Sequence, residues 1–242
     1  MQQHNQSAKP VQSRAQEFSS AAFLETVHDT LYRHYGDLHW WPAETPFEVV
    51  IGAILTQNTA WTNVAIALAN LKQAGVTTAD QIAALPLTRL EQLIKPSGFF
   101  RQKADRLQAF SRQLIRHSKG DIVAFCQGPL AEIRNQLLTQ PGIGPETADS
   151  ILLYAAQRPI FVVDAYTRRI FQRLGVLAGR ETYDQVQQFF MANLPQRTDL
   201  YKAYHAEIVV HAKHFCHKRR PFCQQCPLNN LCLLGQDTLR LT

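Results

Sequence analysis

The segment Pro141-Gly142-Ile143-Gly144-Pro145 constrains the fold most strongly, because two glycines and two prolines stand within five residues. On either side, residues 130–138 and 147–156 carry apolar side chains at helical spacing. The glycines allow a sharp turn, and Pro145 suits the first position of a helix, where an N–H is dispensable. The pattern therefore predicts two short helices joined by a tight turn. The start of the second helix could hold a phosphate, although an ordinary helix–helix turn explains the same pattern taken alone.

The rest of the chain also has a helical pattern. Thr78–Gln81 and Thr88–Glu91 have the form of capping boxes, and Val64, Leu68 and Leu71 share one helical face. Only residues 160–163 resemble a strand, and four residues do not make a sheet. The predicted fold class is all-α.

Composition excludes two classes of protein. The chain is 45% hydrophobic, enough for a sizeable core, yet its longest apolar run, residues 49–55, is interrupted by Gly52 and is far too short to span a membrane. Residues 1–20 are rich in Gln and Ser and lack the apolar stretch of a signal peptide, so we expect a disordered tail. A net charge of +6 is compatible with nucleic-acid binding but does not establish it.

Asp164 follows the apolar run at residues 160–163 directly. A carboxylate in such a position costs desolvation free energy unless it has partners. It is expected to cap the helix that begins near Ala165, to stabilise positive charge in a partly dry cleft, or to do both.

Four of the five cysteines lie within 17 residues, separated by six, two and five residues. In a chain without a secretion signal, this clustering indicates a metal site and not disulfides. A [4Fe–4S] cluster and a tetrahedral Zn²⁺ ion fit the spacing equally well. The expected ligands are Cys216, Cys223, Cys226 and Cys232.

The chain resembles the helix–hairpin–helix DNA glycosylase superfamily, as in endonuclease III, in four features. They are the tight turn, the aspartate 18 residues after Glu146, the segment Leu55–Thr59 and the segment Ser97–Ala104. The resemblance covers residues 38–234. It implies two helical lobes with the DNA cleft between them. One is a six-helix barrel lobe with the hairpin, residues 38–157, and the other joins residues 21–37 to residues 158–242.

The resemblance also implies roles for single residues. Asp164 would be the catalytic carboxylate, and Gln57 would fill the space that a flipped base leaves in the DNA stack. The four cysteines would hold a [4Fe–4S] cluster, with Zn²⁺ as the alternative. The other implied DNA-binding residues are Gly142, Ile143, Gly144, Thr147, Arg101 and Lys103.

Glu146 is a departure from the family pattern. Family members that also cleave the strand carry a lysine here, whose amine forms a Schiff base with the sugar. A carboxylate cannot form that imine, so a monofunctional glycosylase is expected, with lyase activity absent or weak. Glu146 would either assist catalysis or have only a structural role, as a carboxylate that the helix dipole stabilises in the first turn. Lys103 is another lysine that could supply the nucleophile.

All three tryptophans lie within 22 residues of one another. Trp40, Trp41, Pro42 and Trp61 resemble the base pocket of the endonuclease III-related 3-methyladenine DNA glycosylases. An electron-rich aromatic pocket suits a cationic alkylated purine through cation–π attraction, whereas the alternative is that the tryptophans fill a helical core. The rival functions are a bifunctional endonuclease III acting on oxidised pyrimidines and a non-catalytic module that binds damaged DNA.

The expected partner is double-stranded DNA that contains a damaged base. We expect a monomer without membrane association. The expected location is the cytoplasm, with nucleoid association in a bacterium.

Overall fold

The computed structural model describes residues 20–240, so the predicted tail lies outside the described residues except for Ser20, which begins the first helix. The described chain is 67% helical and contains no strand, which confirms the all-α prediction. None of its helices is long and apolar enough to cross a membrane. The helices are α1 (Ser20–Tyr35), α2 (Pro46–Leu55), α3 (Trp61–Gln73), α4 (Ala79–Ala84), α5 (Leu87–Ile94), α6 (Phe100–Ser118), α7 (Ile122–Phe125), α8 (Leu130–Leu138), α9 (Pro145–Ser150), α10 (Ala165–Arg173), α11 (Tyr183–Asn193), α12 (Thr198–His214) and α13 (Leu233–Arg240).

Local sequence signals account for several helix boundaries. The capping box at Thr78 is confirmed, because its hydroxyl accepts the Gln81 N–H while the Gln81 side chain reaches back to the Thr78 backbone. The second predicted box, at Thr88–Glu91, is wrong. Pro86, with φ −53°, already starts α5 at Leu87, so Thr88 lies inside the first turn.

The described residues form two compact units. We call the first the hairpin unit, which comprises residues 39–162 and 196–205. We call the second the cysteine unit, which comprises the described residues within 1–38, 163–195 and 206–242. The chain passes from one unit to the other four times, between residues 38 and 39, 162 and 163, 195 and 196, and 205 and 206, the last of these within α12.

The core of the hairpin unit is built around α2. Every residue of this helix after Pro46 is buried, and α2 packs against α3 and against the π-helical segment Ile151–Ala155 that continues α9. Helix α6 packs its apolar face against α4 and α5. Helix α2 takes the central position because almost all of its side chains are apolar, on every side of the helix.

The cysteine unit has a separate core. Phe23, Leu24, Val27 and Leu31 form the buried stripe of α1, which packs against α11. Helix α10 contributes Phe171, whose ring lies 4.7 Å from that of Phe190 in a T-shaped pair. This core supports the helix that Asp164 begins.

Candidate active site and nucleic-acid interface

Helices α8 and α9 form the predicted hairpin around the two glycines. Gly142 has φ +76°, a backbone conformation that favours glycine, and a Cβ atom there would stand 2.0 Å from Arg106 Nε and displace that side chain. Ile143 is buried and donates its N–H to the Gln140 carbonyl at 3.1 Å. Gly144 precedes Pro145 as the N-cap of α9, without a side-chain cap in the described chain. Backbone groups therefore dominate this turn.

An ion pair joins the two helices of the hairpin. Arg134 on α8 donates from Nε to Asp149 Oδ1 at 2.8 Å and from Nη2 to Oδ2 at 3.2 Å. The Asp149 side chain has no exposed surface. Such a bidentate pair sets the angle as well as the distance between its two elements.

Gln57 lies on the hairpin. Its Nε2 donates to the Gly142 carbonyl and to Thr147 Oγ1, both at 2.9 Å, and its Oε1 accepts from Arg106 Nη1 at 2.7 Å. The structure thus brings together three residues that the sequence placed at the DNA. In this conformation the Gln57 amide is bound to protein groups, so insertion into DNA requires these hydrogen bonds to break. We call residues 56–60 the Gln57 loop.

Lys103 is predicted to contact DNA, but the structure buries its side chain, whereas Arg101 faces solvent as a DNA contact requires. Lys103 is 1% exposed, and its Nζ donates to the carbonyls of Leu55 at 2.8 Å and Ser97 at 2.6 Å. Burial, and secondarily the nearby Arg106, lowers the pKa of Lys103 to about 8. The cause is helical phase, since Lys103 shares the buried face of α6 with Ala104 and Leu107. The same burial keeps this amine away from the surface, where a nucleophile in place of the missing lysine would have to lie.

Phe99 is an exposed aromatic residue that the sequence did not single out. Its side chain is 65% exposed, and its backbone has φ +45°, a region that non-glycine residues rarely adopt. Gly98 before it also has positive φ, at +65°. The Gly98-Phe99-Phe100 sequence was the available signal, but sequence does not tell which of the two rings faces outward. We call residues 97–99 the Phe99 loop.

Three aromatic rings form a cluster over α2 in the hairpin unit. Trp41 lies 4.8 Å from the Tyr154 ring at 32° and 5.5 Å from the Trp61 ring at 69°. A Cβ atom at Gly52 would meet Trp41 at 3.5 Å and Trp61 at 3.6 Å, so these indoles lie against the helix backbone. Trp40 is half-buried and Pro42 is exposed, on either side of Trp41 in the chain. The cluster unites two of the predicted pocket residues and adds Tyr154, which the sequence analysis missed.

Tyr154 is held from the far side of its ring. It lies in the π-helical segment, and its hydroxyl makes a 2.7 Å hydrogen bond with Nδ1 of the buried His205. The Lys202 ammonium lies 6.0 Å from the centroid of the Tyr154 ring, and burial lowers the pKa of this lysine. These contacts fix the orientation of the Tyr154 ring.

In the cysteine unit, Asp164 caps α10, as predicted. Its Oδ1 accepts the backbone N–H of Thr167 at 2.7 Å and the Thr167 hydroxyl at 2.9 Å, and the carboxylate is 8% exposed. Both donors converge on one oxygen, which fixes the rotamer of the side chain. Burial increases the effect of its charge on any developing cation nearby.

Glu146 occupies the second position of α9, after Pro145, and its side chain is exposed. This is the first turn of a helix, where a carboxylate interacts favourably with the backbone dipole. Its location agrees with the helix-dipole interpretation.

The four clustered cysteines line one pocket of the cysteine unit, together with Ile170, Leu174, Phe215 and Leu228. Burial is the largest cause that raises the pKa of the Cys226 thiol to about 12, and the thiols of Cys232, Cys216 and Cys223 raise it further. Among the described residues, no three His, Cys, Asp or Glu side chains are arranged to hold a single metal ion.

Two nitrogen groups contact the sulfur atoms of this pocket. Arg173 Nη1 donates to Cys216 Sγ at 3.1 Å, and the same guanidinium donates to the carbonyls of His217 and Lys218. His211 Nε2 lies 3.4 Å from Cys226 Sγ, while its Nδ1 lies 3.2 Å from the Tyr35 hydroxyl. The N–H that Arg173 donates to Cys216 Sγ favours the thiolate, which is the form that binds metal.

Known proteins are similar to this chain in both sequence and fold. A Methanocaldococcus jannaschii protein assigned to the DNA repair glycosylases is 44% identical over 208 residues, 86% of this chain and 94% of that protein. The structure of a trapped endonuclease III–DNA covalent intermediate matches with a TM-score of 0.79 and 25% identity, over 91% of this chain and 99% of that one. The H. pylori 3-methyladenine DNA glycosylase bound to 1,N6-ethenoadenine matches with a TM-score of 0.68 and 30% identity, over 81% and 98%. Since the family model matches residues 51–196, more than half of the chain, the protein belongs to the HhH-GPD superfamily of base excision DNA repair proteins.

Proposed function

We propose that the protein is a monofunctional DNA glycosylase that releases an alkylated purine, such as 3-methyladenine, from duplex DNA. The observation that carries the choice of substrate is the cluster of Trp41, Trp61 and Tyr154 over Gly52. Aromatic faces attract a base with positive charge through their quadrupoles. Alkylation at a ring nitrogen supplies that charge, whereas oxidised pyrimidines are neutral. The similar H. pylori enzyme holds an adenine derivative, which agrees with a purine pocket.

Base release follows from the chemistry of Asp164. The C1′–N bond breaks, and its electron pair leaves with the base, which a positive charge makes a better leaving group. The buried carboxylate stabilises the oxocarbenium-like sugar, and Thr167 holds it in one rotamer. A water oxygen then bonds to C1′, and its proton passes to the carboxylate. The products are the free base and an intact strand with an abasic site.

Strand cleavage is not expected. Glu146 stands on the hairpin where a Schiff-base lysine would be needed, and the buried amine of Lys103 is occupied by two carbonyls. A carboxylate cannot form an imine with the sugar.

DNA contact is assigned to the hairpin, the Gln57 loop and the Phe99 loop. The backbone of Gly142 and Gly144 would contact phosphate, with Arg101 adding positive charge. Phe99 is an exposed ring suited to enter the base stack, beside or in place of Gln57. The protein would act as a monomer, in the compartment that holds the DNA.

The four cysteines are proposed to hold a [4Fe–4S] cluster. The donor set fits: four thiols line one pocket, and Arg173 and His211 contact their sulfur atoms. The resemblance to endonuclease III favours a cluster, and Zn²⁺ is the alternative for the same four thiols. When bound, the cluster would supply structural cohesion to a loop that carries Lys218, Arg219 and Arg220.

The test is a panel of duplexes containing 3-methyladenine, 7-methylguanine, hypoxanthine, thymine glycol or uracil. Release of alkylated purines, with strand breaks only after alkali, is the expected result. The matched control is Asp164→Asn, which should retain DNA affinity and lose turnover. Incision without alkali, together with borohydride trapping, would show a bifunctional enzyme. Binding without release of any base would show a non-catalytic module.

A further inference from the structure

Helix α6 carries a buried cation that no part of the proposed reaction uses. Lys103 is 1% exposed, and its ammonium donates to two backbone carbonyls. Burying an ammonium costs desolvation free energy, which hydrogen bonds to well-placed acceptors must offset.

Both carbonyls belong to ends of helical segments. Leu55 is the last residue of α2, and Ser97 is the last residue of the 3₁₀ segment Lys95–Ser97. Terminal carbonyls have no partner within their own helix, and the negative end of the helix dipole favours a cation there. One ammonium therefore caps the C-terminal ends of two helical segments.

The two carbonyls also stand next to the proposed DNA-facing loops. Leu55 lies two residues before Gln57, and Ser97 lies two residues before Phe99. The Leu55–Lys103 and Ser97–Lys103 hydrogen bonds, at 2.8 and 2.6 Å, thus join the bases of the Gln57 loop and the Phe99 loop through a single nitrogen.

Arg106, one turn further along α6, extends this connection to the hairpin. It donates to Gln57 Oε1 at 2.7 Å, and its side chain lies across Gly142. All three proposed DNA-facing segments consequently contact the same helix.

We propose that Lys103 is a positioning residue that holds the Gln57 loop and the Phe99 loop at a set separation, so that both enter damaged DNA together. The inference rests on the proposed function for the role of these loops. Lys103 itself does not touch DNA. It acts because a tetrahedral ammonium can donate to two carbonyls in different directions, which an aliphatic side chain of the same length cannot do.

The test compares Lys103→Met with Gln108→Met. Gln108 is a matched control on the same buried face of α6: its Nε2 also donates to two carbonyls, of Ile82 at 3.3 Å and Leu85 at 2.7 Å, in the α4–α5 region. Hydrogen exchange of the full-length protein should accelerate in both loops in Lys103→Met and in neither loop in Gln108→Met. Lys103→Gln, which keeps an amide donor, is expected to loosen the loops less and serves if the methionine variant does not fold.

The second measurement is DNA discrimination. The ratio of affinities for a duplex with a tetrahydrofuran abasic analogue and for an undamaged duplex should fall about tenfold in Lys103→Met, which is the scale of losing the net contribution of one hydrogen bond. The ratio should stay at the wild-type value in Gln108→Met at a similar loss of stability. Unchanged exchange in both Lys103 variants, or an equal fall in the ratio for Gln108→Met, would overturn the proposal. If wild-type protein releases no base and does not prefer the abasic duplex, the proposed function fails, while hydrogen exchange still decides whether Lys103 holds the two loops.

Discussion

The ion pair within the hairpin supports the most quantitative prediction. Replacing Arg134 with Met removes both hydrogen bonds to Asp149 and leaves its carboxylate, whose side chain has no exposed surface, without the guanidinium. Breaking one side of a buried pair costs about 3 to 5 kcal/mol, because the remaining charge loses its oppositely charged partner. Against a total stability of roughly 5 to 15 kcal/mol, this is a large fraction.

Thermal and urea unfolding followed by circular dichroism measure this loss. For a chain of this size, the expected fall in Tm is roughly 6 to 20 °C. The matched control is Arg197→Met, because Arg197 pairs with Asp199 on the surface, with about two thirds of both side chains exposed, and should change little.

A double variant separates the charge from the packing. Arg134→Met with Asp149→Leu removes both charges, so much of the lost stability should return, as buried pairs replaced by apolar groups are often neutral. The reasoning is refuted if Arg134→Met costs less than about 1 kcal/mol, or if the double variant is less stable than the single one.

Three further predictions concern the loops, the buried lysine and the cysteines. Phe99→Ala should leave Tm unchanged, since the ring is 65% exposed, but weaken binding to an abasic duplex more than to an undamaged one; equal weakening in gel-shift titrations would contradict insertion of this ring. The pKa of Lys103 is about 8 in the folded chain against an ordinary 10.5, so the unfolded chain binds more protons between these values. Urea titrations should therefore show the stability of the wild type rising with pH across that window relative to Lys103→Met, and parallel pH profiles would disprove it. Arg173→Met should lower the cluster content per chain, measured by visible absorbance and iron analysis, because Cys216 Sγ and two loop carbonyls lose their donor. An unchanged iron content would show that Arg173 does not support the site.

Sequence alone predicted the features that depend on short stretches of chain. The hairpin follows from two glycines and a proline, and its glycine at 142 indeed has positive φ. Asp164 caps α10 because the capping interaction spans only three residues. The four cysteines line one pocket because their spacing confines them to one loop.

The tertiary structure decided which side chains face solvent and which face the core. Lys103 and Arg101 are two residues apart, yet helical phase buries one and exposes the other. Gln57 bonds to Gly142, 85 residues away, and Tyr154 joins Trp41 through packing between distant elements. Sequence patterns report the period and ends of a helix, whereas contacts of this kind depend on how separate helices are rotated and packed against one another. For this reason the family and the fold were predictable from the sequence. The hydrogen bonds by which Lys103 joins the two loops depend on the packing of α6 against other segments, and only the tertiary structure shows them.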